Sequence, residues 1–296
     1  MEYFVSMLVN SLNCTEKLIG DYGPHIYCSM LLDGCLENGL DCTRGGAKYN
    51  YIGVQGVGMV DVGDSLTAIH QLVFKEKVIT LPELLSCMKN NFADCEVLRQ
   101  RIINRIPKYG NDIDSADAMV AMVGDMYCNM VKTKETVRGG HFRPGLFCLS
   151  SNTPLGKQVC ALPSGRLAGT PLADGGVSPK HSMDKCGPTA AAKSVAKVHH
   201  KNAINGVNYN LKFMPTILKT PKERKKLVDF IRTYFELGGM HVQFNILTKE
   251  KLLDAQANPD KHRNLVVRVA GYSVFFVELD KDIQDEIISR TMYGEA

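Results

Sequence analysis

The chain has 296 residues, 45% of them apolar and 22% charged, with 35 basic against 31 acidic side chains and a net charge of +4. That composition is the usual one for a folded globular chain. The small, unclustered positive excess argues against a nucleic-acid binder, and no run reaches the roughly 18 apolar residues a membrane span needs.

In chain order, the first half reads as mainly helical. Residues 59–76 place Val62, Leu66, Ile69 and Val73 at helical spacing. Leu81 to Phe92 and Cys95 to Ile106 read as two further helices, stopped by Pro107 and Gly110. Asp114 to Val137 reads as a longer one, whose methionine stripe (Met119, Met122, Met126, Met130) fits core packing. Leu146 to Ser150 is an expected strand, and 152–188 a long glycine- and proline-rich irregular stretch. Thr189 to Val198 is an expected helix, Tyr209 to Phe213 a strand, and Glu223 to Leu237 an amphipathic helix ending at Gly238-Gly239. Then come a strand from His241 to Leu247, a short helix from Lys249 to Ala257 and a strand from Leu265 to Val269. A final helix from Asp280 to Thr291 has Asp280 placed as its N-cap. The alternation predicts an α/β fold with a large irregular component.

Ten cysteines are scattered without a C-x-x-C pair. With no basic leader segment they read as reduced thiols of a cytoplasmic protein, and no metal site is expected from them. His199-His200 at a helix end is conspicuous, but a protonated histidine is favoured there without any metal.

A glycine that follows a buried strand, as Gly271 does, usually marks a turn. The longer segment around it says more. NLVVRVAGYSVFFVELDKDIQDEIISRT, residues 264–291, resembles the C-terminal signature of glycyl radical enzymes, in which R-V-A-G-Y carries the radical glycine. Further blocks resemble that family in the family's order: Gly45 to Asn50, Val54 to Gly58, Arg138-Gly139-Gly140, Ala161 to Arg166, Pro171 to Gly175, Gly187 to Ala191 and Met240 to Asn245. The style resembles the dehydratase and lyase branch of the pyruvate formate-lyase-like superfamily more than pyruvate formate-lyase itself.

The resemblance implies the C-terminal part of the ten-stranded α/β barrel of these enzymes, with flanking helices. Residues 1–150 would be a helix-rich part of the barrel region and 151–296 the glycyl radical domain. The implied activity is radical elimination or cleavage of a C–O, C–N, C–S or C–C bond in a small molecule, with Gly271 storing the radical. No cofactor would be bound. The radical would be installed by a partner, an activating enzyme that uses S-adenosylmethionine and an iron–sulfur cluster. In the family the radical passes to a cysteine in a Gly-Cys-x-Glu context. Gly34-Cys35-Leu36-Glu37 matches that pattern, but its surroundings resemble a helix downstream of the cysteine loop. The cysteine loop and the N-terminal half are therefore expected to be missing, so the chain alone would lack turnover. The other expected partners are that missing half or a homodimer partner. Arg143, in His141-Phe142-Arg143-Pro144-Gly145, is a candidate for holding a substrate carboxylate or sulfonate by a bidentate contact. The alternative role is a non-catalytic repair module that replaces a damaged radical domain.

Overall fold

A computed structural model describes residues 1–294. The chain divides into two compact units. The first comprises 1–55, 125–145 and 202–205, and the second comprises 56–124, 146–201 and 206 onward.

The first unit opens with helix α1 (Glu2–Tyr22), followed by the short α2 (Ile26–Leu31) and α3 (Cys35–Asn38) and strand β1 (Tyr51–Gln55). One stripe of α1 buries Val5 and Val9 with Ile52, Val54, Val131 and Phe142. Each such side chain contributes roughly 1.5–3 kcal/mol on burial. The opposite stripe leaves Tyr3, Phe4, Met7 and Tyr22 exposed, and α2 adds Tyr27 and Met30.

The second unit continues with α4 (Met59–Ile69), α5 (Leu81–Lys89) and α6 (Glu96–Arg105). The long α7 (Asp114–Lys132) spans the division. Strand β2 (His141–Gly145) returns to the first unit and pairs in parallel with β1, Gly53 opposite Arg143. After α8 (Asn152–Gln158) and α9 (Pro188–Ala196) come β3 (Asn210–Phe213), α10 (Pro221–Glu236), β4 (Gln243–Ile246) and α11 (Lys249–Ala257). Then follow β5 (Val266–Arg268), β6 (Ser273–Phe275), α12 (Lys281–Ser289) and β7 (Met292–Tyr293). Strands β4, β3 and β7 form a parallel sheet in that order, and β5 and β6 an antiparallel hairpin. Helices α5 and α10 begin as their sequences dictate. Thr80 and Thr220 cap them, and Glu83 and Glu223 reach back to the cap N–H groups.

Several expectations need correction. The expected strand from Leu146 to Ser150 is only a single bridge, Leu146 to Val207. The strand sits just before it, at β2. The expected face of α4 is turned: Val62 is exposed, while Asp61, Asp64 and Ala68 are buried. Those carboxylates accept from the N–H groups of Ala173 (2.8 Å) and Tyr109 (2.9 Å). Burial pushes the Asp64 carboxyl up to about 6. The methionine stripe of α7 is core only in part: Met130 packs against the cluster of the first unit, but Met122 and Met126 are exposed, and Ala116, Val120 and Val131 fill the interior. The last helix stops at Ser289, and Met292–Tyr293 leave it as β7. Asp280 precedes that helix without a side-chain cap bond. Cysteine pairing also departs from expectation: Cys87 and Cys95 form a disulfide, and the other eight are free thiols. Asn91 and Phe92, both at positive φ, fold the chain back after α5 and bring the two together.

The irregular stretch from 152 to 188 contains α8, and one side chain ties several turns of it together. The buried Arg166 guanidinium donates to the carbonyls of Gly156 (2.6 Å), Cys160 (3.0 Å) and Val159 (3.3 Å), and also to that of Thr170. A buried loop must satisfy its backbone somewhere, and here an arginine fork does it.

Candidate functional site

Gly271 lies in the second unit, at the tip of the β5–β6 hairpin. The last strand pair is Arg268 with Ser273, and the Val269 N–H donates to the Tyr272 carbonyl at 3.0 Å. Ala270 and Gly271 are the two residues of the turn. Gly271 has φ +85°, the left-handed region that glycine adopts without strain. A Cβ placed there would meet only Leu149 Cδ2, at 4.0 Å. Space therefore does not demand glycine, and conformation does.

The hairpin is fixed from below. Val267, Val269 and Phe276 are buried in a cluster with Leu252, Leu265 and Ile287 from α11, its following loop and α12. Val274 is only partly buried, and Gly271 itself is exposed. In this chain Ala270 and the apolar residues beneath the turn are covered, and Gly271 faces outward.

Side chains hold four successive peptide units of the loop. Asn245 on β4 brackets Arg268, accepting from its N–H (2.8 Å) and donating to its carbonyl (2.7 Å). The Val269 carbonyl accepts from Arg290 Nη1 (2.9 Å) and Asn210 Nδ2 (3.1 Å). The Gly271 N–H donates to Gln243 Oε1 at 3.1 Å.

Behind the loop lies a buried charge cluster. Arg290 pairs with Glu286 (Nη2 to Oε2, 2.9 Å) and Asp174 (Nε to Oδ2, 3.3 Å). His181 Nε2 reaches both Asp174 (3.0 Å) and Glu286 (3.1 Å). Burial alone would raise the two carboxyls, but the Arg290 charge and the His181 bonds hold both below their ordinary values. Burial alone would lower His181, and its bonds to the two carboxylates outweigh that and raise it. Asp174, His181 and Glu286 present ligand atoms close enough together for a metal ion. The guanidinium of Arg290 already supplies a cation there. Lys212 on the central strand β3 is also buried and donates to the carbonyls of Ile288 (2.9 Å) and Ile287 (3.3 Å). Burial brings it down to about 8.

Arg143 belongs to the first unit, on β2. Its guanidinium carbon lies 4.2 Å from the Tyr51 ring centroid, within cation–π range. Its Nε is buried with no hydrogen-bond partner among the described residues. In the same unit Cys35 is buried, and the Glu37 carboxylate accepts from the Gly34 N–H at 2.9 Å, closing a helix cap. His200 is buried with both ring nitrogens used. Nε2 bonds the Val195 carbonyl (2.8 Å), and Nδ1 accepts from the Met240 N–H (3.1 Å). That geometry fixes a neutral tautomer with a structural role. The sequence reading did not single out Gln243, Asn210, Asn245 or Arg290. Gln243 and Asn245 lie within the block Met240 to Asn245, and Arg290 within residues 264–291, both of which already resembled the family.

Two family models match the chain: "Pyruvate formate lyase-like" over residues 1–156 and "Glycine radical" over residues 173–277. The Escherichia coli protein named "Probable dehydratase YbiW" is 42% identical over 98% of this chain and 37% of its own length. The trans-4-hydroxy-L-proline dehydratase of Clostridioides difficile is 37% identical over 98% of this chain and 37% of its own length. Among solved structures, the glycerol-bound B12-independent glycerol dehydratase of Clostridium butyricum superposes with a TM-score of 0.97 at 44% identity. That match covers 99% of this chain and 37% of the neighbour. The chain thus spans little more than a third of the length of these relatives. Among the described residues no helix is long and apolar enough to cross a membrane.

Proposed function

The chain belongs to the glycyl radical enzymes of the pyruvate formate lyase-like family, and from that premise we propose that it is the radical-storing portion of an enzyme acting on a small molecule. The reaction class is radical elimination or cleavage of a C–O, C–N, C–S or C–C bond, with Gly271 as the store. Residues 1–150 form the barrel-region part and 151–296 the radical-bearing part.

The observation that carries this reading is the geometry at Gly271. Removing one α-hydrogen leaves an unpaired electron shared between the flanking amide nitrogen and carbonyl. That sharing wants a planar α-carbon, which a side chain would crowd. Gly271 is exposed at the tip of the hairpin, a Cβ built on it would meet only Leu149, and the neighbouring peptide groups are held. An activating enzyme with S-adenosylmethionine and an iron–sulfur cluster abstracts the hydrogen.

The cysteine that takes the radical onward is proposed to lie in the part of the relatives' length this chain does not span. Burial of Cys35 and the capping role of Glu37 support that reading. The exposed aromatic side chains of α1 and α2 offer a further portion of enzyme an apolar surface to cover. Arg143, stacked on Tyr51 with an unpartnered Nε, is proposed to hold an anionic substrate group.

The test is anaerobic charging with an activating enzyme of this class, then exposure to air and mass spectrometry. Cleavage of the chain at Gly271 is expected. An intact chain, under conditions in which the same activating enzyme charges a full-length relative, would overturn the proposal.

A further inference from the structure

We infer that Gln243 is a positioning residue for the radical, tuning the spin at Gly271 through a directional chain of hydrogen bonds that begins at the buried Asp174 carboxylate. This inference rests on the reading of Gly271 as the radical site.

The chain of bonds has fixed ends. At one end a backbone N–H can only donate, so Gln243 must present its oxygen to Gly271, at 3.1 Å. At the other end Asp174 is an anionic acceptor, so Asn210 must present its amide nitrogen, at 2.6 Å from Oδ2. Between them Gln243 Nε2 donates to Asn210 Oδ1, and Asn208 Nδ2 also donates to that oxygen at 2.9 Å. Neither amide can flip without setting two donors or two acceptors face to face. Gln243, Asn210 and Asp174 are all buried, which makes such a mismatch costly. Arg290 and His181 in turn hold the carboxylate. Bonds in such a row polarise one another, so the negative end strengthens Gln243 Oε1 as an acceptor.

The bond has a chemical consequence beyond holding the turn. When the glycine N–H donates to a strong acceptor, its nitrogen becomes a better electron donor to the half-filled orbital on Cα. Spin then moves from carbon to nitrogen. Sharing needs the nitrogen π orbital parallel to the orbital on Cα, so φ must turn from +85° toward the extended value, and the Gln243 bond holds the nitrogen while it does. The bonds at Arg268 and Val269 hold the neighbouring peptides and do not touch this nitrogen.

The test uses the full 296-residue chain. Hydrogen exchange at single-residue resolution should find the Gly271 amide protected although the residue is exposed. Gln243→Met should accelerate that amide roughly five- to tenfold, whereas Asn245→Ala should leave it unchanged. After charging, the glycyl doublet of Q243M should show a wider α-proton splitting and a smaller 15N coupling than wild type. Wild-type exchange at the unprotected rate overturns the inference, and it decides the matter alone if Q243M does not fold. A wild-type doublet with an unchanged splitting in folded Q243M overturns the tuning while leaving Gly271 as the radical site. Absence of any wild-type doublet overturns the reading beneath it as well.

Discussion

Gly271→Ala separates a glycine kept for its backbone from one kept for its chemistry. The left-handed φ of +85° costs an L-residue about 1–2 kcal/mol. Reduced freedom of the unfolded chain offsets about 0.4–1 kcal/mol of that. No steric charge is added, because the new Cβ meets only Leu149 at 4.0 Å. The net loss is about 1 kcal/mol, which lowers the melting temperature of a chain this size by roughly 2–4 °C. G271A should therefore fold and melt almost as wild type does, yet give no glycyl signal after charging. Gly140→Ala is the contrasting control, since its Cβ would stand 1.6 Å from the Asn50 carbonyl oxygen. Backbone must move there, and the fold of the first unit should be lost. Melting curves and anaerobic spectra of both variants decide the matter. A G271A chain that fails to fold would refute the steric argument, and one that keeps the radical signal would refute the assignment of Gly271.

Arg290→Leu should destabilise the second unit by about 3–5 kcal/mol, because it leaves Asp174 and Glu286 buried without their guanidinium. Hydrogen exchange at 268–272 should quicken with it, since the Val269 carbonyl loses a donor. Urea melts that place R290L within 1 kcal/mol of wild type would contradict this. His181 carries a raised value in the folded chain, so its contribution is fully present below the unfolded value near 6.5 and is lost as pH rises through the raised one. The stability gap between wild type and His181→Gln should shrink as pH climbs above about 6.5. A gap constant from there to alkaline pH would mean that His181 is not charged in the cluster. Asp174 and Glu286 run the other way, their contribution being lost as pH falls through their lowered values.

What could be read in the sequence followed the strength of each local signal. The segment around Gly271 was legible because a long run of residues matched together, and α10 because its amphipathic run stops at Gly238-Gly239. Strand β1 was missed: Tyr51–Gln55 sits in glycine-rich text and carries Gly53 and Gln55. Strand β2 contains Pro144, which normally argues against a strand. The face of α4 was misread because hydropathy places aspartates outside, and only the fold brings the N–H groups of Ala173 and Tyr109 onto Asp61 and Asp64. What the clamp on the radical loop does was hidden for a similar reason. Asp174, Asn210, Gln243 and Arg290 come from four separate stretches, and each is an ordinary polar residue until the sheet and α12 converge on the hairpin.

The central claim is that Gly271 stores the radical, and electron paramagnetic resonance on isotopically labelled chain tests it most directly. The chain is charged anaerobically, once with ordinary glycine and once with α-deuterated glycine incorporated throughout. The account predicts a doublet from one α-proton in the first sample, its collapse in the second, and its absence in G271A. A signal that keeps its splitting on deuteration, or that survives in G271A, would place the radical on another residue and contradict the account.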